Sequence, residues 1–193
     1  MRFLYLAIVA VVVTTSSSYA AILDSYTLVK LSYGTNQVDF NNDKKKDLVV
    51  LARRENFNAH GFDVVSFYSE QPQDGNKAKT LGIVPIFDKG NEKSTFGVSG
   101  GADCVLNDFR LLKPKRGNQT LLIIANRKMS ESFFEENSVT FTYYKLEDNS
   151  SGEIGFPFSY FKLSEVRQSK ANYCDVNEAF STELGLGNYR KQE

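Results

Sequence analysis

Histidine, cysteine and an excess of either charge are scarce in this sequence. Its 193 residues include one histidine and two cysteines, and 23 basic residues balance 23 acidic ones. One histidine is too few for a typical multi-histidine metal centre, and two cysteines are too few for a disulfide-dense mini-protein. The balanced charge argues against a nucleic-acid binder, which needs basic residues against phosphates. Hydrophobic residues at 41% exclude a disordered chain and predict a sizeable core.

The N-terminus has the pattern of a secretory signal peptide. Arg2 supplies a positive charge, and Phe3–Val13 is an apolar run of eleven residues. Ser18 and Ala20 are small residues placed for cleavage after Ala20. A membrane anchor is the alternative, but spanning a bilayer takes about twenty apolar residues. We therefore predict a signal peptide at residues 1–20 and a single β-rich domain at 21–193. That domain would be periplasmic or secreted and would not span a membrane.

Export changes the interpretation of the two cysteines. Cys104 and Cys174 both lie in the predicted mature chain. In an oxidising compartment an even pair indicates one disulfide, which would close a loop of about 70 residues and contribute about 3–4 kcal/mol. The alternative is a pair of buried free thiols. The sequence has no C-x-x-C motif, so nothing indicates a redox role.

The region after the signal peptide is predicted to be mainly β-structure. Eight runs are rich in Val, Ile, Phe, Tyr and Thr, and polar or glycine-bearing stretches separate them. The predicted strands are Tyr26–Tyr33, Asp47–Arg53, Phe62–Tyr68, Gly82–Phe87, Val105–Leu112, Leu121–Asn126, Val139–Leu146 and Phe156–Leu163. We expect an all-β fold, a mainly antiparallel sheet arranged as a sandwich or barrel, with one or two short helices. Asp175–Leu184 is the better helix candidate and Ser130–Glu136 the weaker.

The segment from Asp39 to Asp47 is a candidate calcium loop. It places oxygen-bearing side chains at positions 1, 3, 5 and 9 and leads into an apolar strand, which resembles the loops of FG-GAP and VCBS-type β-repeats. That resemblance implies the side chains of Asp39, Asn41, Asp43 and Asp47 and the carbonyl of Lys45 as ligands. Lys44 stands where those loops have glycine, and three consecutive lysines weaken cation binding. The alternative is a metal-free turn. Any bound Ca²⁺ would be structural, and no cofactor is otherwise required.

The segment between the second and third predicted strands is the candidate ligand site. Within eight residues it contains two arginines, a carboxylate, two amides and the single histidine: Arg53, Arg54, Glu55, Asn56, Asn58 and His60. Arginine pairs with carboxylate groups, so this density suits an anionic small molecule. The alternative, a solvated hairpin with internal salt bridges, is the one that physical reasoning favours.

The motifs of known hydrolases are incomplete in this sequence. His60 has no recognisable nucleophile beside it, and neither G-x-S-x-G nor H-E-x-x-H occurs. Ser159 and Lys162 match the S-x-x-K motif of serine β-lactamases, but the S-D-N and K-T-G motifs are missing and the run around Ser159 is strand-like. We therefore expect a protein without catalytic residues.

Residues 36–70 resemble the carbapenem intrinsic-resistance (CarG-like) proteins. The resemblance is carried by a D-F-N-N-D loop and by the segment R-E-N-F-N-A-H-G-F-D-V that follows it. It implies an exported bacterial protein that gives carbapenem resistance without evident hydrolysis, by drug binding or target protection. The implied partner is carbapenem or a periplasmic partner protein. Two rival functions stay open: a calcium-stabilised extracellular recognition domain, and a hydrolase with a site around Glu55 and His60.

Overall fold

A computed structural model describes residues 23–40, 43–58, 60–71, 80–88, 90–100, 103–117, 119–132 and 134–191. The predicted signal peptide lies outside the described residues. The elements in chain order are β1 (Tyr26–Leu28), β2 (Gly34–Val38), β3 (Asp47–Arg54), β4 (Phe62–Gln71), β5 (Thr80–Ile83), β6 (Ile86–Asp88), β7 (Asn91–Lys93), β8 (Phe96–Gly100), β9 (Val105–Pro114), β10 (Leu121–Arg127), β11 (Asn137–Asp148), β12 (Ser159–Tyr173) and α1 (Val176–Leu184).

These strands form one large mixed sheet. Its order is β2-β3-β4-β8-β9-β10-β11-β12-β6-β7, with β1 paired to β9 and β5 to β4. The pairings are antiparallel apart from the parallel pair of β12 and β6. The sheet is not closed into a barrel. The prediction of a mainly antiparallel β-fold with a short helix is therefore confirmed.

Several boundaries differ from the prediction. The first predicted strand ends at Leu28, and the polar segment Gly34–Val38 forms β2 instead. The fourth divides at Pro85, because Val84 donates its N–H to a strand β4 carbonyl while the Pro85 carbonyl accepts from β12. β12 runs on to Tyr173, because its polar second half pairs with β11. The described residues of Ser130–Glu136 are not helical.

Two hydrophobic clusters occupy opposite faces of β9, β10 and β11. Neighbouring residues point to different clusters because side chains alternate along a strand. Leu111, Leu122 and Tyr144 belong to the first cluster, in which the rings of Phe67 and Phe161 pack with centroids 5.1 Å apart. The second cluster contains Leu112, Leu121 and Tyr143 and is covered by α1 through Val176, Ala179 and Phe180.

A fully buried arginine attaches α1 and the C-terminal segment to β9. The Arg110 guanidinium donates to Asp108 Oδ2 at 3.0 Å, to the Gly187 carbonyl at 2.7 Å and to Asn177 Oδ1 at 2.7 Å. Its carbon lies 4.2 Å from the centre of the Phe180 ring. Burial raises the pKa of the Asp108 carboxyl, and the Arg110 charge opposes that shift. These groups satisfy one another, so this ion pair has a structural role.

The disulfide and the start of α1 lie together. Cys104 and Cys174 are joined, with their Cα atoms 5.6 Å apart, which confirms the predicted pairing. Asp175 caps the helix by accepting from Asn177 N at 2.7 Å, and its other oxygen accepts from Val105 N at 3.2 Å. Gly185 ends the helix in the left-handed conformation. Within the described ranges no helix has the length and apolar character needed to cross a membrane.

Candidate functional site

The predicted ligand residues lie at the end of β3 and in the β3–β4 loop, residues 55–61. Glu55 Oε1 accepts hydrogen bonds from the backbone N–H groups of Asn56 and Phe57, at 2.9 and 2.8 Å. The Asn56 amide donates to the His60 carbonyl at 2.7 Å, and Asn58 Oδ1 accepts from His60 N at 2.8 Å. The structure thus brings these residues together, and their polar groups hold the loop in shape.

The two arginines at the end of β3 also contact groups of the hairpin. Arg53 Nε donates to Glu55 Oε2 at 3.2 Å, and another of its nitrogens lies 3.6 Å from Asp63 Oδ1. The Arg54 guanidinium lies over the Phe62 ring, 5.5 Å from its centre. Backbone N–H groups, with Phe57 first, and the Arg53 guanidinium lower the pKa of Glu55. The Arg53 side chain is 45% exposed, so an incoming anion would compete with Glu55 for it.

A buried carboxylate fixes this hairpin to the rest of the fold. Asp63 is 1% exposed and accepts from Tyr33 Oη at 3.1 Å and from the Arg190 guanidinium. A cavity of about 130 Å³ lies beside it, lined among others by Arg53, Gly61 and Arg190. Cavities that enclose drug-sized ligands measure about 300–1,000 Å³, so this one is too small for such a molecule.

An exposed aromatic ring stands at the tip of the loop. Phe57 is 95% exposed and has a φ of 56°. Bulky residues rarely adopt this left-handed conformation, which costs about 1 kcal/mol. The ring therefore projects from the surface, where it can contact another molecule. The sequence prediction omitted Phe57 because an aromatic residue near strands usually belongs to the core.

The acidic residues of the candidate calcium loop have protein partners. Asp39 Oδ2 accepts from Lys113 Nζ at 3.1 Å, Asp43 Oδ1 from Lys45 N at 2.8 Å, and Asp47 Oδ2 from Phe40 N at 2.9 Å. Asn41, the remaining predicted side-chain ligand, lies outside the described residues. Lys44 has a φ of 69°, the conformation for which related loops use glycine. Lys45 belongs to the turn itself, its ammonium 3.8 Å from Asp43.

Asp47 is the carboxyl group of this loop whose pKa is strongly shifted. Burial raises its pKa to about 6, and the charges of Asp43 and Asp39 add to the rise. The described residues contain no group of three or more His, Cys, Asp and Glu side chains arranged to hold a metal ion. A structural Ca²⁺ at this loop stays a prediction.

The structure separates the two residues of the S-x-x-K match. Ser159 is buried and donates to Asp148 Oδ1 at 2.7 Å, whereas Lys162 is exposed and donates to Glu147 Oε2 at 3.2 Å. The two residues are three positions apart on β12, so they point to opposite faces of the strand. This arrangement does not couple the lysine to the serine hydroxyl.

A lysine-lined cleft is a further feature that the sequence did not predict. Lys30, Lys46, Lys113 and Lys191 line one surface cleft of about 490 Å³. These residues come from four separated segments of the chain. No local motif announces such a site, because only the pairing of β1 with β9 and the return of the C-terminal segment bring the lysines together.

The model of the family described as "Carbapenem resistance protein CarG-like" matches residues 31–182. The chain belongs to this family. The match runs from the segment before β2 into α1 and includes the β3–β4 loop, which confirms the resemblance noted in residues 36–70. The solved structure described as "Crystal structure of CarG" is similar to the chain at 29% identity, covering 81% of this chain and 94% of that one, with a TM-score of 0.66. No curated protein matches the chain.

Proposed function

We propose that this CarG-like protein gives carbapenem resistance outside the cytoplasm without hydrolysing the drug. The observation that carries the proposal is the family match over residues 31–182. The separation of Ser159 from Lys162 supports the non-hydrolytic part, because each side chain is bonded to a different carboxylate. A carbapenem whose absorbance falls on mixing with purified protein would overturn this part.

Target protection is the mechanism that the β3–β4 loop favours. Its polar groups bond to one another, its neighbouring cavity is small, and Phe57 projects into solvent. A projecting aromatic ring beside two arginines is typical of a protein contact, since aromatic residues and arginine are enriched at binding hot spots. The partner on this account is a periplasmic protein such as a carbapenem target.

Drug binding is the second candidate mechanism. The half-exposed Arg53 guanidinium favours it, because arginine can exchange the Glu55 carboxylate for the carboxylate of a carbapenem. Asn56, Asn58 and His60 would then orient the bound drug. Calorimetry separates the two mechanisms, since drug binding requires a heat signal with purified protein alone. No signal at millimolar carbapenem would remove drug binding.

Expression in a carbapenem-sensitive host tests the proposal as a whole. We expect the full chain to raise the inhibitory concentration of the drug, and a chain lacking residues 1–20 to have no effect. Protection that survives this deletion would contradict a mechanism outside the cytoplasm. Phe57→Gly should reduce protection, whereas Phe134→Gly, which also removes an exposed ring, should not.

A further inference from the structure

Four lysines from separate parts of the chain meet in the cleft beside β2. Lys30 follows β1, Lys46 precedes β3, Lys113 lies in β9 and Lys191 lies in the C-terminal segment. The chain as a whole has no net charge, so their convergence is a local departure from its average.

The backbone around the cleft is held by hydrogen bonds. Leu31 N donates to the Tyr189 carbonyl at 2.8 Å, and Lys191 N donates to the Leu31 carbonyl at 2.9 Å. The Lys30 ammonium donates to the Asn188 carbonyl. Val29 N donates to the Leu111 carbonyl at 2.9 Å, which continues the pairing of β1 with β9 towards Lys30. Lys30, Lys113 and Lys191 therefore lie on hydrogen-bonded backbone of the fold.

The positive charge of the cleft is only partly neutralised. Asp39 is the one carboxylate among its described lining residues, and it pairs with Lys113 at 3.1 Å. In the described part of the chain, no carboxylate oxygen lies within 4.0 Å of the Lys46 or Lys191 ammonium. A second cavity of about 640 Å³, lined by Lys30, Asn188, Arg190 and Lys191, extends the basic surface.

We propose that this lysine cleft binds a phosphate-bearing ligand. A volume of about 490 Å³ is in the range of small-molecule sites. Lysine ammonium groups bind phosphate as point charges, whereas planar carboxylates are matched best by arginine forks, and arginine is not among the described lining residues. Ser32, Thr35 and Gln37 also line the cleft, and these residue types carry neutral hydrogen-bond donors. This proposal does not depend on carbapenem resistance.

Calorimetry with inorganic pyrophosphate at an ionic strength of about 0.15 M, where the Debye length is about 8 Å, tests the cleft. The test variant is the double substitution Lys46→Ala/Lys191→Ala, which leaves the Lys113–Asp39 ion pair intact. We expect it to weaken pyrophosphate binding about tenfold or more, since two charge-assisted contacts with the anion are lost. The matched control is Lys93→Ala/Lys145→Ala, which removes the same charge at exposed lysines outside the cleft. The control should change the affinity by less than about twofold, because distant surface charges are screened.

Three outcomes would overturn the proposal. Equal weakening in both double variants would show a diffuse charge effect. Citrate that binds as tightly as pyrophosphate would show that phosphate is not the preferred group. Binding neither to pyrophosphate nor to vesicles of phosphatidylcholine with phosphatidylglycerol would remove the site. Binding to such vesicles in preference to pyrophosphate, lost in the test variant alone, would support the proposal and identify a lipid headgroup as the source of the phosphate.

Discussion

The β3–β4 loop and the lysine cleft both concentrate positive charge, but they do so in opposite ways. In the loop, Arg53 faces Glu55 and Asp63, which are close to it in sequence. In the cleft, four lysines arrive from four segments, with Asp39 as the described carboxylate among them. Charges that are neighbours in sequence meet their counter-charges within the same hairpin. In the cleft, Lys46 and Lys191 come from distant segments, and no carboxylate of the described residues pairs with them.

The comparison separates two kinds of surface. The loop is an internally hydrogen-bonded projection with an aromatic tip, which suits contact with another protein. The cleft is a concave basic surface, which suits a small anion. This comparison can be tested at three places: the Asp63 carboxylate that anchors the β3–β4 hairpin, the acidic loop Asp39–Asp47 beside the cleft, and the exposed Phe57 ring.

The largest effect is expected from removing the carboxylate that anchors the hairpin. Asp63→Ala removes the acceptor for Tyr33 and Arg190 and the partner of Arg53. We expect the free energy of unfolding to fall by about 2–3 kcal/mol, because hydrogen bonds to a buried charged group are lost. Urea denaturation measures this change.

The matched variant is Glu55→Ala, which removes an exposed carboxylate from the same hairpin. It should cost much less stability than Asp63→Ala, because exposed ion pairs contribute little. Equal losses in the two variants would contradict the anchoring role of Asp63.

An intermediate effect is expected from the pH dependence of Asp47. Its folded-state pKa is raised to about 6 by burial, so the folded state holds this proton more tightly than the unfolded chain. Stability is therefore gained as the pH falls from above about 6 to below about 4, and is lost again as the pH rises. We expect this gain in the free energy of unfolding to be about 1–2 kcal/mol smaller in Asp47→Asn than in the unmodified chain. Urea denaturation measured across this pH range tests the difference. The same slope in both proteins would contradict this account.

The predicted calcium site can be tested with the same pair of proteins. Ca²⁺ held by Asp39, Asp43 and Asp47 would keep Asp47 ionised, raise the melting temperature near neutral pH and remove the pH effect. A chelator would reverse these changes in the unmodified chain and would have no effect on Asp47→Asn. If the melting temperature is the same with Ca²⁺ and with chelator, the loop is a metal-free turn.

The smallest effect on stability is expected at the tip of the loop. Phe57→Gly should raise the free energy of unfolding by about 0.5–1 kcal/mol, because glycine adopts a positive φ without the cost paid by a bulky residue. The ring is almost fully exposed, so little packing is lost. A variant that is more stable yet gives less protection would support a contact role for Phe57. Unchanged protection would count against the loop as the contact surface.

The strands that could be predicted are those with a buried apolar face. The ends of β3, β4, β9, β10, β11 and α1 were predicted within three residues. Apolar and β-branched residues mark the strands, and an amphipathic pattern followed by a glycine marks the helix. β2 and β7 were missed, since Gly-Thr-Asn-Gln-Val and Asn-Glu-Lys have little apolar content. β8 was also missed, because glycines are uncommon inside strands. Such strands form because a neighbouring strand offers hydrogen bonds, which a single-sequence pattern does not record.

The candidate sites also differ in how far the sequence could predict them. The residues around the β3–β4 loop could be identified because they are contiguous, and the same contiguity makes them neutralise one another. Asp63, Tyr33 and Arg190 were missed as a group, because the chain returns from its C-terminal part to complete it. The lysine cleft was missed for the same reason, because its lysines come from distant parts of the chain.

The shared strands between the two hydrophobic clusters have a consequence for unfolding. Each of β9, β10 and β11 contributes one face to the first cluster and the other face to the second. Neither cluster can lose its packing without exposing the back of the strands that support the other. The two halves of the core should therefore melt in a single cooperative transition, with the slowest amide exchange concentrated in these three strands.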